Sequence, residues 1–170
     1  MSEHVEAFYL EEISALPDLS DEELRLLLES HFTGDPLAYG SITEGCLKRI
    51  ARQAKALNVH GVQLMDLIQE GNLALLTFLK EPGDLSGDPV KSLDLAVFNA
   101  LKGILEEESE AKKAGEELSA TLNVIDRVCM EIAQEKGREA TVEEVAGMMK
   151  MDPGDVKYLM QIALSAVKKD

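Results

Sequence analysis

Apolar residues recur at intervals of three and four along nearly the whole chain, and nowhere do they settle into the alternation of two that a half-buried strand requires. Val5, Phe8, Tyr9, Leu10 and Ile13 predict a first helix over about residues 4–15, closed by Leu16 and Pro17. Ser20 with Glu23 three residues on has the spacing of a capping box, in which the hydroxyl accepts a free amide and the carboxylate reaches back. The helix it opens should run to about His31 and end at Gly34. Asp35-Pro36 predicts a third helix start, since Pro at the first helical position loses no needed donor. Leu37, Ile42, Cys46, Ile50, Ala54 and Leu57 then form one apolar stripe, with Lys48, Arg49, Arg52 and Lys55 on the other faces and Asn58 and Gly61 as terminators.

A fourth helix is expected from about Val62 to Lys80, followed by a turn-rich loop, EPGDLSGDP, over residues 81–89. A fifth should span about Val90 to Ala114, beginning apolar and ending in the charged run EEESEAKK. Gly115 and the acids after it predict a linker. Beyond it, Leu122–Lys136 fits a helix with Val124, Ile125, Val128, Cys129 and Ile132 inside, ended by Gly137. Thr141 and Glu144 form a second capping box for a short helix through Met149, and Asp152-Pro153 opens a last helix with Val156, Leu159, Met160 and Ala163 inside. Three helices joined by short turns make a helix-turn-helix-like unit. The expected fold class is all-α, in two parts: residues 1–118 and residues 119–170.

Composition sharpens this picture at one point, the charge. The net charge of −15 means that the whole molecule repels a phosphate backbone unless its few cations are gathered in one place, so a basic protein surface is the better default partner. Cys46 and Cys129 lie outside any metal-type spacing and read as small hydrophobes in a reducing compartment. His4, His31 and His60 are scattered, so no metal and no cofactor is expected. No nucleophile–base pair or glycine-rich phosphate loop stands out, so an enzyme is not expected. With acids throughout its first twenty residues and no long apolar run, the chain is expected to be soluble and cytoplasmic, with no membrane role.

One segment breaks local rules. DLIQEGN, residues 66–72, places Gly71 inside a strongly apolar helix, at a cost of about 1 kcal/mol relative to Ala. It also sets Asp66 and Glu70 four residues apart as like charges, and adds Asn72, a weak helix former. Conflicts of this kind are expected at functional sites. Offsets of three and four put Asp66, Gln69 and Glu70 on one face, an acidic, amide-bearing stripe suited to Arg or another cation, or equally an ordinary solvated face.

DLIQEGN followed by an apolar helix resembles the segment of sigma-70 proteins that docks on the clamp helices of the largest subunit of core RNA polymerase. EAFYLEEISALPDLSDEELRLLLES and GDPLAYGSITEGCLKRIARQAKAL are similar to the helices that precede it in that family, and EKGREATVEEVAGMMKMDPGDVKYLMQIA resembles the third sigma domain. The resemblance covers most of the chain in the right order. It implies an all-helical, sigma region-two-like domain with its N-terminal helices, then a domain-three-like three-helix unit. It also implies core polymerase as partner, held by Asp66, Gln69, Glu70 and Asn72.

The chain departs from the family where the family carries a basic, aromatic-rich helix that captures flipped bases of the melted promoter. The matching stretch, VKSLDLAVFNALKGILEEESE, has one aromatic, Phe98, beside Asn99, and its cations before Lys112 are Lys91 and Lys102. A solitary Phe there reads as core rather than as a stacking platform. Lys91, Phe98, Asn99, Lys102 and Arg138 are therefore candidates for weak promoter contact only. In the last unit, Arg138, Lys150, Lys157, Lys168 and Lys169 are interspersed with acids and form no basic face. The family's upstream-element-reading domain finds no counterpart, so initiation is expected to need either a partner protein that supplies it or a forgiving promoter. The expected function is a sigma-70-like initiation protein with weakened promoter melting. The alternative is a non-initiating regulator that uses the same scaffold to occupy polymerase or to bind another transcription protein.

Overall fold

The computed structural model describes residues 2–58, 62–82 and 87–167; the expectations placed on Gly61, His60, the middle of the 81–89 loop, Lys168 and Lys169 fall outside them. Among the described residues all regular structure is helical: α1 Ser2–Ser14, α2 Asp21–Phe32, α3 Ala38–Leu57, α4 Leu64–Lys80, α5 Pro89–Lys136, α6 Val142–Met149 and α7 Pro153–Val167. The chain divides into two compact units, residues 1–109 and 110–170, each with its own apolar core.

The first unit packs α1 to α4 and the start of α5 around Leu24, Leu28, Ile42, Leu67, Ile68, Leu75 and Leu101, all shut off from solvent. The Ser20 capping box forms as its spacing requires: the Glu23 amide donates to Ser20 Oγ at 3.2 Å and the Ser20 amide to Glu23 Oε2 at 2.9 Å. The Ser20 hydroxyl, which donates to Glu23 Oε2 at 2.7 Å, and then the Ser20 amide hold the Glu23 carboxyl below its ordinary pKa. At the other end of α2, the His31 imidazole Nε2 donates to the Leu79 carbonyl at 3.0 Å, joining α2 to the last turn of α4.

The third helix starts later than expected. Asp35 Oδ1 accepts the Leu37 amide at 2.9 Å and Oδ2 the Ser30 hydroxyl at 2.9 Å, so Asp35 makes a turn before the helix rather than its first cap. Leu37 consequently stands 81% exposed instead of joining the apolar stripe, which begins at Ala38 and continues through Ile42, Cys46, Ile50 and Ala54. Burial of Cys46 pushes its thiol up to about 11. The basic face of α3 is engaged within the unit: Arg52 makes two hydrogen bonds to Asp18 at 2.8 and 2.9 Å, and Arg49 bridges Asp21 and Asp94. The Arg52 pair holds the Asp18 carboxyl below its ordinary value.

The linker expected at Gly115 is helical. α5 runs unbroken over 48 residues, and every residue from Glu106 to Glu117 is exposed. The composition explains it. Glu, Lys and Ala are strong helix formers, and Glu108–Lys112, Lys112–Glu116 and Lys113–Glu117 are opposite charges at helical spacing. Against these, one glycine costs about 1 kcal/mol.

The second unit buries Ile125, Ile132, Val145, Ala146 and Val156. Val124, expected inside, is exposed, because the stripe that meets α6 and α7 runs through Ile125, Val128, Cys129 and Ile132. Gly137 ends α5 at φ +67°, a conformation glycine adopts without a Cβ penalty. Thr141 Oγ1 accepts the Glu144 amide at 3.3 Å, and Glu144 Oε2 accepts the Thr141 amide at 3.0 Å, so the second capping box also forms. Asp152 Oδ1 accepts the Gly154 amide at 2.7 Å, which starts α7 at Pro153.

Candidate docking faces

α4 is seated by its inward side and offers its outward side. Leu67, Ile68, Gly71, Leu75, Phe78 and Leu79 face the core. At Gly71 the neighbouring helix comes so near that a Cβ would lie 2.5 Å from Ile50 Cγ2. The glycine that breaks helix propensity in DLIQEGN is therefore a packing requirement of the α3–α4 contact, and the functional reading of that residue is replaced.

On the opposite side the four candidate residues separate. Asp66 and Gln69 are exposed and Glu70 is half-buried, one turn from Asp66. None of the three side chains has a hydrogen-bond or ion-pair partner among the described residues, so an unneutralised acidic ridge stands on this face. Asn72, three residues after Gln69, stands beside it on the flank of the ridge away from Glu70; it is half-buried, and its Oδ1 is closed off from solvent without a partner among the described residues.

Leu73 belongs to the ridge and was not singled out from sequence. It is 56% exposed, seven residues after Asp66 and therefore on the same line. The helix pattern held the signal, because a leucine at that spacing shares the face of the two carboxylates rather than that of Leu67 and Leu75.

A second face lies on the first part of α5. Lys91, Phe98, Asn99 and Lys102 are all exposed there, gathered around Leu95, which is 58% exposed. Phe98 is 41% exposed, so it is not a core residue as its isolation suggested; Leu93, Val97 and Leu101 take the inward positions. Lys102 Nζ is 3.1 Å from Glu106 Oε1, which offsets its charge. Between the two faces runs an open groove of about 600 Å³, lined from α4 by Glu70, Leu73 and Ala74 and from α5 by Leu95, Ala96 and Asn99. The ridge and the α5 face are thus the two banks of one channel.

The fifth candidate for nucleic-acid contact is in the other unit. Arg138 donates to Glu144 Oε1 at 2.6 Å and Oε2 at 3.0 Å and to the Glu139 carbonyl at 2.9 Å, while Lys136 Nζ meets Glu144 Oε1 at 2.5 Å. Two cations and a backbone amide converge on one carboxylate. The Glu144 carboxyl is held far below the usual range, chiefly by the Arg138 hydrogen bonds and then by Lys136. Arg138 thus fastens the start of α6.

The described residues contain no cluster of His, Cys, Asp and Glu that could hold a metal ion, and no helix long and apolar enough to cross a membrane.

Residues 120–168 match the family model described as sigma-70 region 3. Over 160 residues the chain is 30% identical to the RNA polymerase sigma factor SigA of Clostridium acetobutylicum, covering 94% of this chain and 42% of that one. It is 28% identical over 169 residues to the RNA polymerase sigma factor RpoS of Coxiella burnetii, covering 95% of this chain and 46% of the relative. A SigA from a Bacillus species is 28% identical over 160 residues, again at 94% and 42%. The chain therefore spans less than half the length of these relatives.

Proposed function

Because this chain is a sigma-70 family sigma factor-like protein, we propose that it takes part in transcription initiation by docking on core RNA polymerase through the outward face of α4. The observation that carries this reading is the state of the DLIQEGN segment: Gly71 is packed against Ile50, while Asp66, Gln69 and Glu70 stand without partners among the described residues on the opposite side. Unpaired carboxylates on a preorganised helix suit Arg side chains, which grip a carboxylate with two parallel hydrogen bonds. Asn72, beside Gln69, completes the proposed set on the flank of that face. In this reading residues 1–118 form the polymerase-docking part and residues 119–170 a domain-three-like part.

The test is retention of purified core polymerase by the immobilised chain. Retention should be lost with Asp66→Arg and with Glu70→Arg, each of which leaves the core untouched. Full retention by both variants would defeat the docking site.

Promoter melting by this chain is proposed to be weak. The α5 face that would meet single-stranded DNA carries one exposed aromatic, and Lys102 is paired with Glu106. Base stacking on an aromatic contributes about 1–3 kcal/mol per base, and a lone ring cannot hold a run of bases. The same observation favours a second reading, a regulator that occupies polymerase without initiating, alone or with a partner protein that reads the promoter. Transcription in vitro with added core separates them: specific transcripts support initiation, and suppression of transcription by another sigma factor supports regulation.

A further inference from the structure

The channel between α4 and α5 has a composition that neither role of its banks accounts for. Apolar side chains make up most of its walls, with Leu73, Ala74 and Phe78 from α4 and Leu95 and Ala96 from α5, and Thr77, Ser92 and Asn99 are set among them. Two leucines in it are more than half exposed, at 56% and 58%. Large aliphatic side chains held open to water on both banks of a groove mark a surface that is covered in use. The charged groups in the lining are carboxylates, Glu70 near one end and Glu81 near the other, and no cation lines it among the described residues. Neither carboxylate has a hydrogen-bond or ion-pair partner among the described residues, and Asp66 lies one turn beyond Glu70. Lys102, the cation one turn beyond Asn99, is held by Glu106.

These features select the occupant. A nucleic-acid strand brings phosphates to the lips of any groove that takes its bases, and carboxylates there repel them. A lipid surface is anionic and is disfavoured for the same reason. A groove between two helices, with leucine-class banks and acidic ends, is complementary to a short amphipathic helix. Such a helix lays an apolar ridge spaced i, i+3/i+4, i+7 along the floor and places Lys or Arg over the end carboxylates. We infer that the α4–α5 groove is a docking site for a basic amphipathic helix of a partner protein. The inference goes beyond polymerase docking and shares with that proposal two residues of the outward α4 face, Glu70 and Leu73. Leu95 and Glu81 lie outside the polymerase-docking face, and Asp66 lies outside the groove.

The experiment uses the full chain and a fluorescent helical peptide with leucines at i, i+3/i+4 and i+7 and lysines at its flanks. Its isomer with glutamates at the flanks serves as the control. The lysine-flanked peptide should bind saturably, and binding should weaken by about tenfold or more with Leu95→Ser and with Glu81→Lys, a loss equivalent to roughly 1.4 kcal/mol or more. Asp66→Arg should leave peptide binding within a few fold while abolishing polymerase retention, so the two proposals fail separately. Leu95 and Glu81 are exposed, and unchanged far-ultraviolet dichroism confirms that their variants fold. The inference is overturned if the lysine-flanked peptide does not bind, if both peptides bind alike, or if Leu95→Ser has no effect. Competition by a single-stranded oligonucleotide that is itself lost with Leu95→Ser would reassign the groove to nucleic acid. A concentration-dependent dimer of the chain dissolved by Leu95→Ser would reassign it to a second copy.

Discussion

Arg49 of α3 grips Asp94 of α5 with two parallel hydrogen bonds, Nε to Oδ1 at 2.6 Å and Nη2 to Oδ2 at 2.5 Å, while its Nη1 reaches Asp21 at 2.7 Å. Gln53 adds a donor to Asp94 Oδ1 at 3.0 Å. Both charges are largely covered, and three helices are tied at one guanidinium. Asp94→Ala leaves a half-buried guanidinium without its main partner, and should destabilise the first unit by about 1–3 kcal/mol. Urea denaturation measures it. A double-mutant cycle with Arg49→Ala should show that the second substitution costs much less in the Asp94→Ala background; additive costs would contradict the pairing.

Gly71→Ala sets two magnitudes against each other. Helix propensity favours Ala by about 1 kcal/mol. Overpacking against Ile50 costs about 1–3 kcal/mol. At 2.5 Å the neighbouring methyl carbon must move, so the second effect should win and the unfolding midpoint should fall. In an Ile50→Ala background, which removes that methyl, the cost of Gly71→Ala should shrink or change sign. A gain in stability from Gly71→Ala in the wild-type background would contradict the close approach.

Glu144 gives the second unit an acid limit. Its folded-state carboxyl titrates far below the ordinary value because Arg138, Lys136 and the Thr141 amide all favour the anion. A group with a depressed folded pKa binds more protons when unfolded, so stability rises with pH through this window. The contribution is fully present above the unfolded value of about 4.3 and is lost as pH falls towards the folded one. Methyl signals of Val145 and Val156 followed by NMR should report loosening of this unit between roughly pH 4.5 and the acid end of the titration. Glu144→Gln should be less stable at neutral pH and should flatten that dependence.

Residues Glu106–Glu117 form a helical stretch exposed on every side. Helix without packing opens locally at low free-energy cost. A Glu-specific protease should therefore cut here first and release two fragments near the boundary of the units. Gly115→Ala adds helix propensity at a position where a Cβ meets nothing within 4 Å, so it should slow that cleavage. First cuts inside α3 or α4 would contradict this ranking.

The helices themselves were readable because periodicity and caps agree. Both capping boxes, at Ser20–Glu23 and Thr141–Glu144, appear where their spacing put them. The errors have separate causes. Leu37 was assigned inward by period alone, but the Asp35 turn delays the helix by a residue or two. Gly115 suggested a break, yet its neighbours are helix formers with complementary charges. At the candidate site, the acidic residues of the ridge were legible as a pattern of offsets. The reason for Gly71 was not, because it depends on Ile50, twenty-one positions earlier and on another helix. Pairwise engagement was equally hidden: the cations of α3 looked available in sequence, and the structure gives Arg49 and Arg52 to aspartates of α5 and of the segment before α2 and its first turn. Phe98 looked solitary and therefore internal, while the inward positions around it were already filled by smaller aliphatics.

The seat of Gly71 on Ile50 has a kinetic corollary. The close approach of Gly71 to Ile50 seats α4 on α3, and that seat sets the direction in which Asp66 and Glu70 face. Encounter with a cationic surface then requires no rearrangement of the receiving side. Capture should be fast at low ionic strength and should slow steeply as salt screens the attraction.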